Sequence, residues 1–299
     1  MNHSVLTLAV GALALFSAQS YATDAVVPIQ TIAVAPGLSM LIGSGGNVAV
    51  STGKDGPIIV DDQYAPQAPA ILAAAKAQQD APIRFVINTH HHGDHTGGNE
   101  AFGNTGALIV AHDNVRTRLS MAQFSKMLNR STPAQPALAW PVVTFTEGVT
   151  LHWNDETIRI VHAPNAHTDG DGIVWFTKAN AVHCGDTFFN GFYPFIDVES
   201  GGSIAGMIAA ADGVLAAVNA DTHIIPGHGP LAHAPELLAF RNMLATVQTR
   251  VATAITAGTT LEAFNGQNPL ADLDAEWGDG FLKADQIVTL VWQDISAKR

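Results

Sequence analysis

From residue 89 the chain reads Thr89-His90-His91-His92-Gly93-Asp94-His95-Thr96-Gly97-Gly98-Asn99. Four histidines and an aspartate within six residues are not hydrophobic core, because polar groups are buried only with partners. Neutral imidazoles and carboxylates together are the donors taken by zinc and other first-row divalent metals. The glycines let the backbone turn tightly, so that alternate side chains face one centre and the next pair faces another. One loop cannot complete two metal sites, and three later loops carry further donors. His167 lies in Pro164-Asn165-Ala166-His167-Thr168-Asp169-Gly170-Asp171, Asp186 in His183-Cys184-Gly185-Asp186, and His228 in Pro226-Gly227-His228-Gly229. A lone histidine is most often structural. Three such loops, all at strand ends and all downstream of the cluster, point instead to one shared centre. No Gly-x-Ser-x-Gly elbow, P-loop or dinucleotide fingerprint offers a competing mechanism.

Such a centre needs strands that end beside one another, since a strand end fixes the backbone while leaving the next side chains free to converge. Strand-like runs are Ser39–Ile42, Asn47–Thr52 and Pro57–Val60, with turn formers such as Gly43-Ser44-Gly45-Gly46 between them. Ala65 to Gln78 reads as a helix, and Ile83–Asn88 is a buried-type strand running straight into the histidines. Ala107–Ala111 is a strand, followed by a helix from about Asp113. Met121 to Pro141, with Pro133, Pro136 and Pro141, reads as an irregular excursion or lid. Val142–Phe145, Thr150–Trp153, Thr157–Val161, Ile173–Phe176, Ala181–His183 and Thr222–Ile225 continue the strands. Ser203 is placed to cap a helix through about Val218, and the tail from Pro235 is mostly helical, with a break around Asn265–Pro269. Strands followed by helices, twice over, predict two stacked sheets with helices outside, an α+β architecture.

The 299 residues carry a formal charge of −12, which disfavours nucleic acid and anionic membrane as partners. A single cysteine, Cys184, excludes an intramolecular disulfide and any multi-cysteine metal site. At the N-terminus, Val5 to Phe16 is an apolar run too short to span a bilayer, and Ser20-Tyr21-Ala22 suits signal cleavage. Residues 1–22 are therefore expected to be a signal peptide. The expected localisation is periplasmic or secreted, with no membrane attachment after cleavage.

The Thr-His-His-His-Gly-Asp-His-Thr-Gly-Gly run resembles the His-x-His-x-Asp-His signature of the metallo-β-lactamase superfamily, and His167, Asp186 and His228 follow in that family's order. The resemblance spans roughly Ile32 to Pro230. It implies a four-layer αβ/βα sandwich of two mixed β-sheets with helices on the outer faces. It implies a catalytic domain over 23–232 and a helical extension over 233–299 packed on it. It further implies two Zn2+ ions per chain, with Fe or Mn as other possible metals. His90, His92 and His167 resemble ligands of the first metal, Asp94, His95 and His228 ligands of the second, and Asp186 the bridging carboxylate. Asp61 or Asp62 resembles the aspartate that orients a ligand histidine.

The implied activity is hydrolysis of a small-molecule carbonyl ester, lactone, thioester or amide by a metal-bridging hydroxide, with Asp94 also handling protons. β-Lactam hydrolysis in the periplasm and iron-dependent redox chemistry are the alternatives on the same scaffold. Dedicated zinc β-lactamases of the family generally lack an aspartate at the bridge, so Asp186 leans towards glyoxalase II-like and lactonase-like members. The run Thr187–Phe195, rich in phenylalanine, serves either as an apolar substrate wall or as core. Tyr193 within it is a candidate donor to a substrate oxyanion.

Overall fold

Short runs of β-branched and aliphatic residues form strands here because both faces of each run can be buried at once. The computed structural model describes residues 26–127 and 129–298, so the expected signal peptide lies outside the described residues. The strands of the first half are β1 (Gln30–Ala35), β2 (Leu38–Ile42), β3 (Val48–Ser51), β4 (Ile58–Val60), β5 (Phe85–Ile87) and β6 (Leu108–His112). A small hairpin follows, β7 (Gln123–Ser125) and β8 (Arg130–Thr132), and then β9 (Val143–Phe145). The second half contributes β10 (Gly148–Trp153), β11 (Glu156–His162), β12 (Gly172–Phe176), β13 (Ala181–His183) and β14 (His223–Ile225).

The first sheet has seven strands in the order β1-β2-β3-β4-β5-β6-β9, and the second has five in the order β10-β11-β12-β13-β14. Both sheets are mixed. The first pairs antiparallel from β1 to β4 and parallel from β4 onward, and the second ends in a parallel β13–β14 pair.

The helices are α1 (Ala68–Gln78), α2 (Gly93–Thr96), α3 (Asn99–Asn104), α4 (Asp113–Leu119), α5 (Ile204–Ala217), α6 (Ala234–Thr256), α7 (Leu261–Asn265), α8 (Asp274–Trp277) and α9 (Ala284–Ala297). Alternation along the strands sets the layers. In β4, Ile58 and Val60 face the second sheet, where they join Ile158, Ile160, Val174 and Phe176. Ile59 faces outward and packs with Ile71 of α1 and Phe102 of α3. In the second sheet Val182 and Ile224 face outward onto Met207, Phe240 and Val288 of α5, α6 and α9. Helices, sheet, sheet and helices thus stack as four layers around a two-sheet core. The C-terminal helices share one apolar cluster with the second sheet, so residues beyond 233 pack on the body they follow.

Most expected elements appear within a residue or two. Ser203 caps α5 by accepting from Gly206 N at 3.0 Å. Two expectations need correction. Part of the 121–141 excursion is regular, with β7 pairing antiparallel to β8, because two short, mostly polar strands carry little apolar patterning. Strand β1 was not anticipated, because its edge position leaves it largely exposed and removes the alternation that marks a strand.

Ile58 is fully buried between the sheets, so Ile58→Ala is expected to destabilise the fold by about 2–5 kcal/mol. Val142 is 62% exposed, and Val142→Ala should stay within about 0.5 kcal/mol. Urea midpoints of the two variants check this contrast.

Candidate metal centre

Five strand ends bring the polar residues together. Strand β5 leads into Thr89 and the histidines, β4 into Asp61, β11 into the loop of His167, β13 into Asp186 and β14 into His228. Two sets of donor atoms result. His90, His92, His167 and Asp186 form the first, and Asp94, His95 and His228 the second, with the donor atoms in each set within 4.8 Å of one another. In the first set His167 Nε2 lies 2.9 Å from His92 Nδ1 and 3.5 Å from Asp186 Oδ2, which is 3.8 Å from His90 Nε2. In the second, His228 Nε2 lies 3.3 Å from His95 Nε2 and 3.2 Å from Asp94 Oδ2. The other oxygen of Asp186, Oδ1, lies 3.0 Å from His95 Nε2 and 3.5 Å from His228 Nε2. Asp186 therefore offers one oxygen to each set.

The residues fit divalent metals on two observations. His90 Nε2 and Asp186 Oδ1 are buried without a hydrogen-bond partner, although buried polar atoms are normally satisfied. The set is also chemically matched, since imidazole nitrogens and carboxylate oxygens at this density are zinc donors. Burial, with His95 beside it, pushes His90 well below the usual imidazole range, and burial holds His167 down to about 4. Both rings are thus neutral and keep a lone pair for a cation. Burial disfavours the protonated form of His95, but the carboxylates of Asp186, Asp94 and Asp61 outweigh it and raise its pKa. The same contest, led by Asp186, raises His228 to about 9. Burial likewise opposes ionisation of Asp186, and the surrounding histidines reverse it, holding the carboxyl well below its ordinary value.

A second layer of contacts aims the rings. Asp61 Oδ2 lies 2.7 Å from His95 Nδ1, which fixes that nitrogen as the donor and turns Nε2 toward Asp186. The same carboxylate accepts from Thr89 N and Thr89 Oγ1, each at 2.7 Å. Asp61 is thus the supporting aspartate. Asp62 instead accepts from Gly98 N at 2.8 Å, and burial raises its pKa. Asp197 Oδ2 holds His92 Nε2 at 2.9 Å, leaving His92 Nδ1 toward the first set. His167 Nδ1 donates to the Phe195 carbonyl at 2.7 Å. Two glycines permit the close approach. A Cβ on Gly46 would sit 2.1 Å from the His95 ring, and one on Gly227 would sit 2.0 Å from Asp186 Oδ1.

The Thr187–Phe195 run divides between its two expected roles. Phe188 is core and packs against Phe240, whereas Phe189 stacks on the His228 ring at 5.3 Å and Phe195 lies 5.7 Å from that of His92. Tyr193 requires a correction. Its ring is buried in the core beneath the C-terminal helices, and its hydroxyl donates to Asp274 Oδ1 at 3.1 Å, so it is not aimed at a substrate oxygen. His91 belongs to neither set and lies with His92 and Asp197. His183 is satisfied, with Nε2 bonded to the Asn47 carbonyl and Nδ1 accepting from Gly185 N. Cys184 is buried, which pushes its thiol up to about 12 and leaves it a small apolar residue. Asp197 escaped the sequence reading because only the fold brings it to His92, 105 residues away.

The profile of the metallo-beta-lactamase superfamily matches residues 36–236. A protein from Rhodospirillum rubrum named hydroxyacylglutathione hydrolase is 33% identical over 121 residues, 40% of this chain and 39% of that one. A protein of the same name from Anaeromyxobacter dehalogenans is 31% identical over 222 residues, 69% of this chain and 74% of that one. The chain spans about half or less of the length of the first curated relatives it matches, from 39% to 52%. A solved stereoselective inverting sec-alkylsulfatase from Pseudomonas sp. superposes with a TM-score of 0.66 at 17% identity, over 89% of this chain and 50% of that one. At that identity the likeness is one of fold.

Removing the carboxylate that aims His95 should loosen the second set. Asp61→Ala is expected to weaken zinc binding about 10–100-fold, measured by competition with a chromogenic chelator.

Proposed function

The chain belongs to the metallo-β-lactamase superfamily, and from that premise we propose that it is an exported, dinuclear zinc hydrolase of a carbonyl ester, lactone, thioester or amide. The observation that carries this reading is Asp186, with one oxygen in each donor set. His90, His92 and His167 would hold one ion, Asp94, His95 and His228 the other, and Asp186 both. When bound, such ions supply Lewis acidity at a carbonyl and a water acidic enough to act as nucleophile near neutral pH. Relatives named for the hydrolysis of an acyl-glutathione favour the thioester and ester end of this range. The apolar run and small-residue site within residues 1–22 support export.

The protein's own groups divide the remaining work. Asp61 and Asp197 hold the outer nitrogens of His95 and His92, so the inner nitrogens face the donor sets, where a bound cation would take the place of a proton. Asp94 is half-buried at the edge of the second set, and His95, then His228, outweigh burial to keep it ionised. Its Oδ2 can accept a proton from the attacking water and return it to the departing oxygen, nitrogen or sulfur. Phe189 and Phe195 cover the flank of the histidine rings and exclude water there.

Asp186→Ala should lower the bound zinc from about two ions per chain to one or fewer and reduce kcat/KM by orders of magnitude. Elemental analysis of purified protein, with assays on aryl esters, lactones, thioesters and β-lactams, tests both claims. One iron per chain with O2 consumption, or no turnover across that panel by zinc-loaded protein, overturns the hydrolase reading.

A further inference from the structure

We propose that Phe195 sets the acyl specificity: its half-buried ring is the wall against which an uncharged, apolar acyl group of the substrate lies. The inference rests on the hydrolase reading for there being an acyl group, and on ring distances for where that group sits.

Residues 195–197 are clamped to two histidines of the first donor set. The Phe195 carbonyl accepts from His167 Nδ1 at 2.7 Å, Asp197 N donates to the His167 carbonyl at 2.9 Å, and Asp197 Oδ2 holds His92 Nε2 at 2.9 Å. The backbone that carries the Phe195 ring is thus fixed beside both. The ring centroid lies 5.7 Å from that of His92 and 5.9 Å from that of His167. Phe189 flanks the other side, stacked on His228 at 5.3 Å and 6.1 Å from His167. The rest of the run is turned elsewhere. Phe188 packs on Phe240, Tyr193 bonds Asp274, and a Cβ on Gly280 would sit 2.7 Å from the Phe192 ring. Phe189 is 7% exposed, whereas Phe195 is half-buried and its neighbour His92 keeps a fifth of its side chain, 21%, open to solvent.

An apolar ring left partly open beside polar donors can hold an apolar group while the donors fix the carbonyl. The direction of the substrate follows from the roles already assigned. Asp94, in the second set, returns the proton to the leaving group, so the acyl half extends from the carbonyl toward the first set, on the side of Phe195. Charge in this neighbourhood points the same way. Arg118 is spent on Asp169, at 2.8 and 2.7 Å, and Lys126 on Glu199, at 3.5 Å. Asp169 N in turn donates to the Ser200 carbonyl, three residues beyond Asp197. Cations already paired offer little to an anionic acyl chain, and the formal charge of −12 opposes one.

The test uses the full, zinc-loaded chain, its Phe195→Ala variant, and acetate, hexanoate and adipate as probes. Binding is read by calorimetry alongside zinc content. A fully buried methylene is worth about fourfold in binding, so the longer chain of hexanoate against one wall should gain about tenfold over acetate. Adipate, charged at its far end, should bind no tighter than acetate. In Phe195→Ala the hexanoate preference should fall to about threefold or less at unchanged zinc content, and Phe195→Leu should keep most of it. The same pattern should appear in kcat/KM for p-nitrophenyl hexanoate over p-nitrophenyl acetate. A wild-type preference within about twofold, adipate bound as tightly as hexanoate, or a preference that survives Phe195→Ala overturns the proposal. So does a loss that follows the leaving group and not the acyl chain. If the wild type hydrolyses nothing, the hydrolase reading fails, while the binding comparison still decides the role of Phe195. If Phe195→Ala does not fold, Phe195→Gln, polar and closer in size, takes its place with the same outcomes.

Discussion

Asp186 places a buried carboxylate between two sets of imidazoles, with one oxygen toward each. Desolvation alone would make such an ion very costly, and the histidines around it, His95 foremost, are what keep it charged. The arrangement is mutual, because the carboxylates raise His95 and His228 while burial keeps His90 and His167 neutral. Much of the surrounding structure serves to hold this cluster at fixed distances. Gly46 and Gly227 give up side chains so that His95 and Asp186 can approach the backbone, and Asp61 and Asp197 lock the outer faces of two rings.

The architecture makes that precision possible. Between the sheets the side chains are aliphatic or aromatic and fully interlocked, from Ile58 and Val60 to Val174 and Phe176. The strand ends that leave this layer inherit its rigidity. Donors mounted on the loops that follow these strand ends have little freedom to drift, which is what a preorganised site requires. The outer helices close the second sheet with a separate apolar cluster, and Tyr193 belongs to that cluster through its ring and through Asp274.

The two tyrosines show how context separates similar residues. Both phenols have raised pKa values, and for both the largest cause is burial. Tyr193 spends its hydroxyl on a carboxylate of the C-terminal region, whereas Tyr64 is half-buried and feels the Asp94 and Asp186 carboxylates. The Phe-rich run divides in the same way, with Phe188 turned into the core and Phe189 toward His228, as alternation along an extended segment requires.

The sequence by itself determined the kind of donors, their order along the chain and their position at strand ends. Those properties are local: a histidine cluster bounded by glycine, or a serine one residue before an apolar helix, can be read within a dozen residues. Tertiary structure decided which of Asp61 and Asp62 supports His95, since adjacent residues point apart and only the packing of β4 against α2 selects between them. It decided that Asp197 holds His92, and that Tyr193 points to Asp274 rather than to the centre. Each of these contacts joins segments far apart in the chain. Their distances follow from how two sheets stack, and no spacing along the sequence encodes that.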